Sequence, residues 1–570
     1  MKTSLGQASL FDVLLAFLAD NIRFMHRSDP LDVPAAPLGA PQASDAPASG
    51  DAQCDVLVVG GGIHGVSTAR DLAGRGWSVI LCEQHDLAQH GSSASSKLLH
   101  GGLVELAQGQ LGRVRRALAE REGLLQGAPH ITSPLRMVMP YGPGLPSPWA
   151  ARLVLWLYDH LAPRGWLPES ERMALAGHPM GEALKPAWQE AFVYADGLVD
   201  DARLVLMCAR AALDHGARIL TRTACVDLRA VPQGWQALLA HHDPHTGRLT
   251  HRSQVQARLV VNAAGPWVPQ VQAQMGGATP AAAWFQRSHV VVPRLFEHEH
   301  GHVLHGDGHR LVFVLPFEQR FSLIASADGS PLLGGLPDAP PGPCGSVSDA
   351  EVDALCQTVN RYFKRSIARD DVVWRFAEVW AEPEGATRAP KGRASARLQP
   401  VVSQGGASPS VTIWGGPFTA FRKVAEEASA AASECLGEPR EAWTRHASLP
   451  GGRLLALIDH EQDPATDLAE FQRKLRQLHP WMDLPLARRW SRQYGALALE
   501  LLQGVHSRAD LGAEVAPGLF EWELHHLCRE EWAVTAQDVL WRRTRLGLHY
   551  DEAQRAAVAD WFAARSRSAA

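Results

Sequence analysis

A glycine-rich turn near the start of the chain has the residue types and spacing of a phosphate-binding site. The run Asp55–Val59 has the composition of a buried strand. Three glycines follow it in the spacing G-x-G-x-x-G before a helical stretch: Gly60, Gly62 and Gly65. The first permits a tight turn, the second lets backbone N–H groups approach a pyrophosphate, and the third allows the helix to pack closely on the strand. Because a helix N-terminus also favours anions, the segment predicts a dinucleotide-binding unit.

A carboxylate stands where such a unit needs one. The next apolar run, Ser78–Cys82, ends at Glu83, roughly 20 residues beyond the turn, the separation typical of dinucleotide-binding folds. A carboxylate there can accept a hydrogen bond from a ribose hydroxyl and would repel a 2′-phosphate. The alternative, a glycine-rich turn in an ordinary α/β unit, does not require it.

Later small-residue segments favour a flavin over a nicotinamide. Residues 91–102 pack hydroxyl side chains against a His-Gly-Gly turn, so their backbone can lie close to a flat ring and a second phosphate. Strand-like runs enter small-residue turns at 263–266 and again at 415–419. The predicted FAD-binding residues beyond the first unit are Ser92, Ser93, Ser96, Lys97, His100, Gly101, Gly102, Val226, Ala264, Gly265, Gly415, Gly416, Phe418 and Thr419.

The composition and the spacing of apolar residues along the chain predict three regions. Residues 1–53 form an extension and linker, with a potential amphipathic helix followed by an Ala-, Pro- and Ser-rich stretch. Residues 54–440 alternate short β-like runs with helical patterns, which indicates α/β architecture. Residues 441–570 contain apolar residues at helical spacing with few Pro and Gly, which indicates a helical domain.

Composition excludes several classes of protein. Apolar residues make up 46% and the formal net charge is -5, without a basic stripe, so we predict a folded enzyme that does not bind nucleic acid. The eight cysteines form no CxxC pair, which indicates separate thiols in a reducing cytoplasm. No apolar run reaches the ~18 residues of a membrane-spanning helix, and no secretory signal is evident.

In their order, these segments resemble the flavin-dependent glycerol-3-phosphate dehydrogenases, which are similar in fold to D-amino acid oxidase. The resemblance extends from about Cys54 to Phe562 and includes Ser288–Pro293 and Asp538–Thr544. It implies a Rossmann-like FAD-binding domain, an interleaved β-sheet substrate domain and a C-terminal all-α domain. It also implies hydride transfer from glycerol 3-phosphate to FAD, with His289 as the candidate base.

The same resemblance implies partners. The family passes electrons to a quinone at the membrane surface, so we expect a small-molecule substrate, a quinone and a peripheral contact with the inner face of the cytoplasmic membrane. A homodimer is the expected assembly.

The chain departs from the family pattern where the substrate should bind. Val104 and Glu105 stand where the family has Arg and Tyr, Trp380 replaces an arginine, and Pro417 replaces a lysine. Because a charged hydrogen bond contributes about 1.5–3 kcal/mol, these losses weaken phosphate binding. The alternative is a divergent member that binds FAD but acts on another hydroxyl or amine substrate, or serves as a non-catalytic partner.

Several residues have two interpretations each. His289 is either the base or a histidine satisfied under a sheet, and His100 fits loop geometry beside the flavin better than chemistry. Arg388 or Arg393 can replace one of the lost cations. A histidine-rich stretch superficially resembles a metal site, but it has no matching ligand cluster elsewhere, so we predict no metal: His298, His300, His302, His305 and His309.

Two further clusters concern surfaces. An aromatic run flanked by Arg152 and Arg164 is either an interfacial membrane contact or a core helix with its cap. Its members are Trp149, Trp156, Tyr158 and Trp166. A group of arginines near the C-terminus is interpreted as a domain-docking face: Arg542, Arg543 and Arg545.

Overall fold

The computed structural model describes residues 52–107, 109–142, 147–276, 281–307, 310–332, 346–383, 397–401 and 408–569. The predicted N-terminal helix and nearly all of the 1–53 extension lie outside the described residues, as do His309, Arg388 and Arg393. The first strand begins at Ala52, two residues before the predicted start of the α/β region.

The strands in chain order are β1 (Ala52–Val59), β2 (Val79–Cys82), β3 (Leu98–Leu99), β4 (Thr132–Tyr141), β5 (Glu171–Ala174), β6 (Glu190–Val199), β7 (Arg218–Leu220), β8 (Thr223–Val231), β9 (Gly234–His242), β10 (Leu249–Asn262), β11 (Ala282–Pro293), β12 (Gly301–His305), β13 (Leu311–Phe317), β14 (Phe321–Ser326), β15 (Ser330–Pro331), β16 (Trp374–Pro383), β17 (Arg397–Val401), β18 (Ser410–Trp414), β19 (Glu514–Ala516) and β20 (Leu519–Phe520).

The α-helices are α1 (Ile63–Gly74), α2 (Leu103–Ala107), α3 (Leu111–Gly127), α4 (Pro148–His160), α5 (Pro179–Glu182), α6 (Asp201–Asp214), α7 (Val268–Gln274), α8 (Asp349–Tyr362), α9 (Phe421–Cys435), α10 (Pro464–Leu478), α11 (Leu484–Tyr494), α12 (Leu497–Leu501), α13 (Glu521–Glu530) and α14 (Glu552–Ala569).

The first sheet is the nucleotide-binding layer. Its strand order is β17-β18-β10-β1-β2-β7, with the β8–β9 hairpin attached to β10, and its central strands β18, β10, β1, β2 and β7 run parallel. Helices α1, α6 and α9 cover one face of this sheet. Strands β1 and β2 are apolar on both sides, so both faces of the sheet must be buried. The chain leaves β1 toward β2 on one side and reaches β10 on the other. The order therefore reverses between β1 and β10, the position where such sheets bind ligands.

The second sheet is mostly antiparallel and is interleaved with the first. Its order is β15-β11-β14-β13-β12-β4-β6-β3, with β16 on β11 and β5 on β6. One face packs under α8, and the other packs with α3 and α4 toward the nucleotide-binding layer. The structure thus confirms the predicted α/β fold with its interleaved sheet domain.

The C-terminal region has a hydrophobic core of its own that runs from Leu454 to Phe562. It is helical, as predicted, apart from the short antiparallel pair β19–β20. The predicted docking face is confirmed. Arg542 and Arg543 form ion pairs with Asp86, and Arg545 pairs with Asp201, so the helical region is bound to a loop and to the start of α6 in the α/β region.

The described cysteines are all free thiols, as the sequence predicted. Among the residues with a described structure, none of the helices has both the length and the apolar character needed to cross a bilayer.

Candidate functional site

A cavity opens at the carboxyl ends of the parallel strands. It is lined where β1 ends at Val59, where β2 ends at Cys82, and by the turns that follow β10 and β18. This is the edge at which the strand order reverses. The predicted residues that line it are Gly60, Gly62, Glu83, Ser92, Ala264, Gly265, Gly415, Gly416 and Phe418.

The glycine turn brings backbone close to backbone. Gly60 has a φ of +116°, and a Cβ there would lie 2.5 Å from the carbonyl oxygen of Ala263. A Cβ on Gly65 would lie 1.8 Å from the carbonyl oxygen of Gly60, so Gly65 allows α1 to pack on the turn without lining the cavity itself. Gly62 caps α1 without a side chain, which leaves the N-terminus of α1 facing the cavity. These features fit a pyrophosphate.

Glu83 is held at the end of β2 by backbone donors. Its carboxylate accepts hydrogen bonds from the Gly61 N–H at 2.6 Å and the His85 N–H at 2.8 Å. Burial raises the pKa of Glu83, and these two donors oppose the rise. The carboxylate is therefore fixed in position beside the cavity, where a ribose hydroxyl of a dinucleotide can reach it.

The sequence analysis missed a histidine pair beside Glu83. The rings of His85 and His90 share a 2.9 Å hydrogen bond, and His90 packs edge-on against Trp267. His90 and Trp267 both line the cavity. Ligand atoms of Glu83, His85 and His90 lie within 4.8 Å of one another, but Glu83 already binds two N–H groups and the histidines bind each other. We interpret the group as a wall of the nucleotide cavity.

The serine-rich segment connects the cavity to the second sheet. Ser92 accepts a hydrogen bond from the Ile63 N–H at 2.9 Å and lines the cavity. Lys97 is buried at a φ of +62°, and its ammonium group donates to Asp201 at 2.5 Å. Gly101 donates its N–H to the Asp196 carboxylate, which also accepts from Tyr158. The other predicted members are the half-buried Ser93 and His100 and the buried Ser96 and Gly102.

Two predicted cofactor residues lie beside the cavity lining. The Val226 side chain is 41% exposed on β8, and its neighbours Thr223 and Cys225 line the cavity. Alternation along a strand explains the difference, since residues two apart share a face. Thr419 is buried in the short 3-10 helix that begins with Phe418, whose side chain reaches the cavity.

One face of the second sheet carries a row of side chains, two of which line the same cavity. On paired strands β11 and β16, His289 lies opposite Phe376, Arg287 opposite Glu378, and Phe285 opposite Trp380. Glu378 and Trp380 line the cavity. The resulting face combines aromatic rings, one ion pair and one imidazole.

His289 is completely buried on that face. Burial lowers its pKa well below the usual range, with Arg287 and Lys97 adding to the shift. The imidazole is therefore neutral at neutral pH. Neither ring nitrogen forms a hydrogen bond of ordinary geometry with the described residues, so a nitrogen remains able to accept a proton.

Of the positions that depart from the family pattern, Trp380 lines the cavity and Pro417 lies between the lining residues Gly416 and Phe418. The Trp380 indole N–H donates to Glu382 at 2.9 Å, and Pro417 immediately precedes the Phe418 helix. Val104 and Glu105 belong to the short helix α2, and the Glu105 carboxylate points back toward Gly102.

Family models match almost all of the described chain. The model described as FAD dependent oxidoreductase matches residues 55–416, and the model described as the C-terminal domain of alpha-glycerophosphate oxidase matches residues 442–565. The glycerol-3-phosphate dehydrogenase of Pseudomonas aeruginosa is 40% identical over 510 residues, which are 89% of this chain and 94% of that protein. The chain belongs to the FAD-dependent glycerol-3-phosphate dehydrogenase family.

Other members of this family differ in their named substrates. The aerobic glycerol-3-phosphate dehydrogenase of Escherichia coli is 35% identical, with 89% of this chain and 97% of that protein covered. The D-erythritol 1-phosphate dehydrogenase of Brucella abortus is 37% identical with the same coverage. The glycerol-3-phosphate dehydrogenase structure from Bacillus halodurans, complexed with FAD, has a TM-score of 0.68 at 22% identity and covers 90% of both chains, which shows a shared fold.

FAD, the cofactor of this family, fits the cavity on the observations above. Gly62 caps α1 without a side chain and lines the cavity, so a phosphate group can approach the helix N-terminus. Glu83 supplies the ribose acceptor, and the turns at Ala264 and Gly415 leave room for a flat ring. The chain is an FAD-dependent dehydrogenase of the glycerol-3-phosphate dehydrogenase type.

The remaining sequence clusters have structural explanations. His302 is buried beside Phe296 and His298, and the His300 ring packs against His298, with burial lowering the pKa of each histidine. Among the described residues, these histidines do not bring three ligand atoms within 4.8 Å of one another.

Proposed function

We propose that this family member oxidises glycerol 3-phosphate to dihydroxyacetone phosphate and passes the electrons to a quinone. The relatives named above support the reaction. The observation that carries it is the neutral, buried His289 on the sheet face whose neighbouring residues Glu378 and Trp380 line the cavity.

The residues of the chain then have distinct tasks. FAD, when bound, supplies the hydride acceptor. His289 takes the hydroxyl proton of the substrate, since burial keeps its imidazole unprotonated. Strands on both sides fix it, because His289 pairs with Ala325 on β14 and with Phe376 on β16. The proton acceptor is thus held rigidly.

Anaerobic glycerol 3-phosphate is expected to bleach the visible flavin absorbance of the purified protein. The variant His289→Asn should keep its FAD but be reduced about 10²–10⁴-fold more slowly, the usual contribution of a general base. Stopped-flow absorbance measures both. If the wild-type flavin stays oxidised, the substrate assignment is wrong, and if the variant reacts at the wild-type rate, His289 is not the base.

A second candidate has specific support. Trp380 lines the cavity and Pro417 borders it, at positions where the family carries an arginine and a lysine. Named relatives of similar identity also act on different polyol phosphates. The alternative is a divergent flavoprotein that oxidises another hydroxyl or amine substrate, or a non-catalytic partner.

Restoring the two cations distinguishes the candidates. The double variant Trp380→Arg/Pro417→Lys is expected to bind glycerol 3-phosphate at least about tenfold more tightly, because each charged hydrogen bond contributes about 1.5–3 kcal/mol. Titration calorimetry on the FAD-loaded protein measures the change. Trp149→Arg, on the exposed surface of α4, is the charge control and should have no effect. No gain in the double variant would mean that these positions do not face the substrate phosphate.

The quinone step calls for a membrane contact, which we place at α4. Trp149 is 67% exposed and Trp156 is 51% exposed on this helix, with the exposed Arg152 between them. Tyr158 points inward instead, donating its hydroxyl to Asp196 at 2.5 Å. One helix therefore combines an anchored inner face with an outer face of tryptophan and arginine, the composition that suits a headgroup region.

Removing the exposed indoles should release the protein from lipid. Trp149→Ser/Trp156→Ser is expected to weaken binding to anionic liposomes by at least about tenfold in a co-sedimentation assay. Leu478→Ser/Leu484→Ser removes two exposed apolar side chains from the helical region and is the matched control. Equal loss in both variants would argue against a contact at α4. Light scattering on the same samples tests the proposed homodimer.

A further inference from the structure

Arg287 and Glu378 form an ion pair at the edge of the FAD cavity. They occupy directly paired positions of the antiparallel strands β11 and β16, so their side chains lie on the same face of the sheet. Glu378 lines the cavity, as does Trp380 two residues further along β16. Arg287 therefore lies on the same face of the sheet as two residues of the cavity lining.

The guanidinium group of Arg287 has unused binding capacity. Its Nη1 donates to the Glu378 Oε2 at 3.0 Å, and the group lies 5.3 Å from the centre of the Trp380 ring. Its buried Nε has no hydrogen-bond partner among the described residues. An arginine held in this way by a carboxylate and an aromatic ring is oriented but not saturated.

Lys97, the other cation near this sheet face, already binds a carboxylate. Lys97 lies over the Phe376 ring at 5.0 Å, but its ammonium group donates to Asp201, which also binds Arg545. Within the part of the chain that the structure describes, Arg287 is thus the cation on this sheet face that can meet a substrate anion. The carboxylate that cancels its charge is Glu378.

We propose that Glu378 sets the charge preference of the substrate site. By neutralising Arg287, it makes the site favour a substrate end that carries uncharged hydroxyl groups over one that carries a phosphate dianion. Hydroxyl groups can donate hydrogen bonds to the Glu378 carboxylate and accept them from the Arg287 guanidinium at the same time. A phosphate dianion is attracted to Arg287 but repelled by the Glu378 carboxylate. This inference rests on the second candidate function above, the oxidation of another hydroxyl substrate in the same cavity.

The test compares two carboxylates on one strand. The variant Glu378→Gln is expected to bind inorganic phosphate at least about tenfold more tightly than the wild type, measured by titration calorimetry on the FAD-loaded protein. Glu382→Gln, four residues along β16, makes the same change in net charge and can still accept from the Trp380 indole. It should bind phosphate as the wild type does. Adding Arg287→Met to Glu378→Gln should abolish the gain.

Glycerol 3-phosphate and glycerol, used as flavin reductants in the same variants, extend the test. The ratio of kcat/KM for glycerol 3-phosphate to that for glycerol should rise at least about tenfold in Glu378→Gln. Equal phosphate affinity in Glu378→Gln and Glu382→Gln would overturn the inference. If Glu378→Gln purifies without flavin, Glu378→Met is measured in its place. If neither compound reduces the wild-type flavin, the proposed function fails, but the phosphate titrations still decide the role of Glu378.

Discussion

Gly65→Ala is expected to give a protein that cannot hold FAD. The added Cβ would lie 1.8 Å from the Gly60 carbonyl oxygen and 3.0 Å from its carbon. Gly60 has little room to move, because a Cβ built on it would already lie 2.5 Å from the Ala263 carbonyl oxygen. The turn must therefore open or α1 must shift, at a cost of about 3 kcal/mol or more. Either movement takes the helix N-terminus away from the phosphate position.

Visible absorbance of the purified protein and thermal unfolding measure this effect. Gly123→Ala is the matched control, because Gly123 is exposed within α3 and a Cβ there meets nothing within 4 Å. That control should be neutral or more stable by up to about 1 kcal/mol. A yellow Gly65→Ala protein with wild-type FAD affinity would show that the α1 turn does not contact the cofactor.

The second large effect is expected at Asp86. This carboxylate is 1% exposed and binds three guanidinium groups, those of Arg222, Arg542 and Arg543. Asp86→Asn removes the charge and leaves the arginines facing one another in a buried site. We expect a loss of about 3–5 kcal/mol in the free energy of unfolding. FAD affinity should also fall, since Asp86 lies three residues after Glu83 in the loop that forms one wall of the cavity.

Asp349→Asn is the control for Asp86→Asn, and the structure also predicts how the contribution of Asp86 to stability depends on pH. Asp349→Asn removes an exposed carboxylate that also pairs with two arginines, and it should cost less than about 1 kcal/mol. Burial alone would raise the pKa of Asp86, but the arginines outweigh it and hold that pKa far below the usual range. The stabilisation is therefore fully present above the ordinary value of 3.8 and is lost only as the pH falls below it. A similar loss of stability in both variants would contradict the buried-cluster explanation.

The cofactor unit could be predicted from sequence because its determinants are local. The strand, the glycine turn and the start of α1 are contiguous, and Glu83 follows at a spacing set by one helix and one strand. The substrate face could not be predicted in the same way. Arg287 and Glu378 meet only because β11 and β16 pair in one register, and nothing local to either residue specifies that register.

The aromatic run shows the same limit within one helix. Spacing alone left both interpretations open, and in the structure Tyr158 packs inward whereas Trp156 is exposed. On the buried side of α4, Leu155 and Leu157 pack in a core cluster and Tyr158 donates its hydroxyl to Asp196 of β6. These tertiary contacts are not specified by the spacing of the aromatic residues.

The order in which strands join the nucleotide-binding sheet has a consequence for biosynthesis. Val59 of β1 pairs with Asn262 of β10, and Asn262 pairs with Thr412 of β18. Strand β1 therefore cannot pair with β10 until about 200 more residues have been synthesised. At about 5–20 residues per second of translation, the glycine turn at the end of β1 spends tens of seconds tethered to the ribosome with β2 but without β10. Cofactor loading is therefore expected only after release of most of the chain, and chaperones that shield unpaired strand edges should determine the yield of yellow protein.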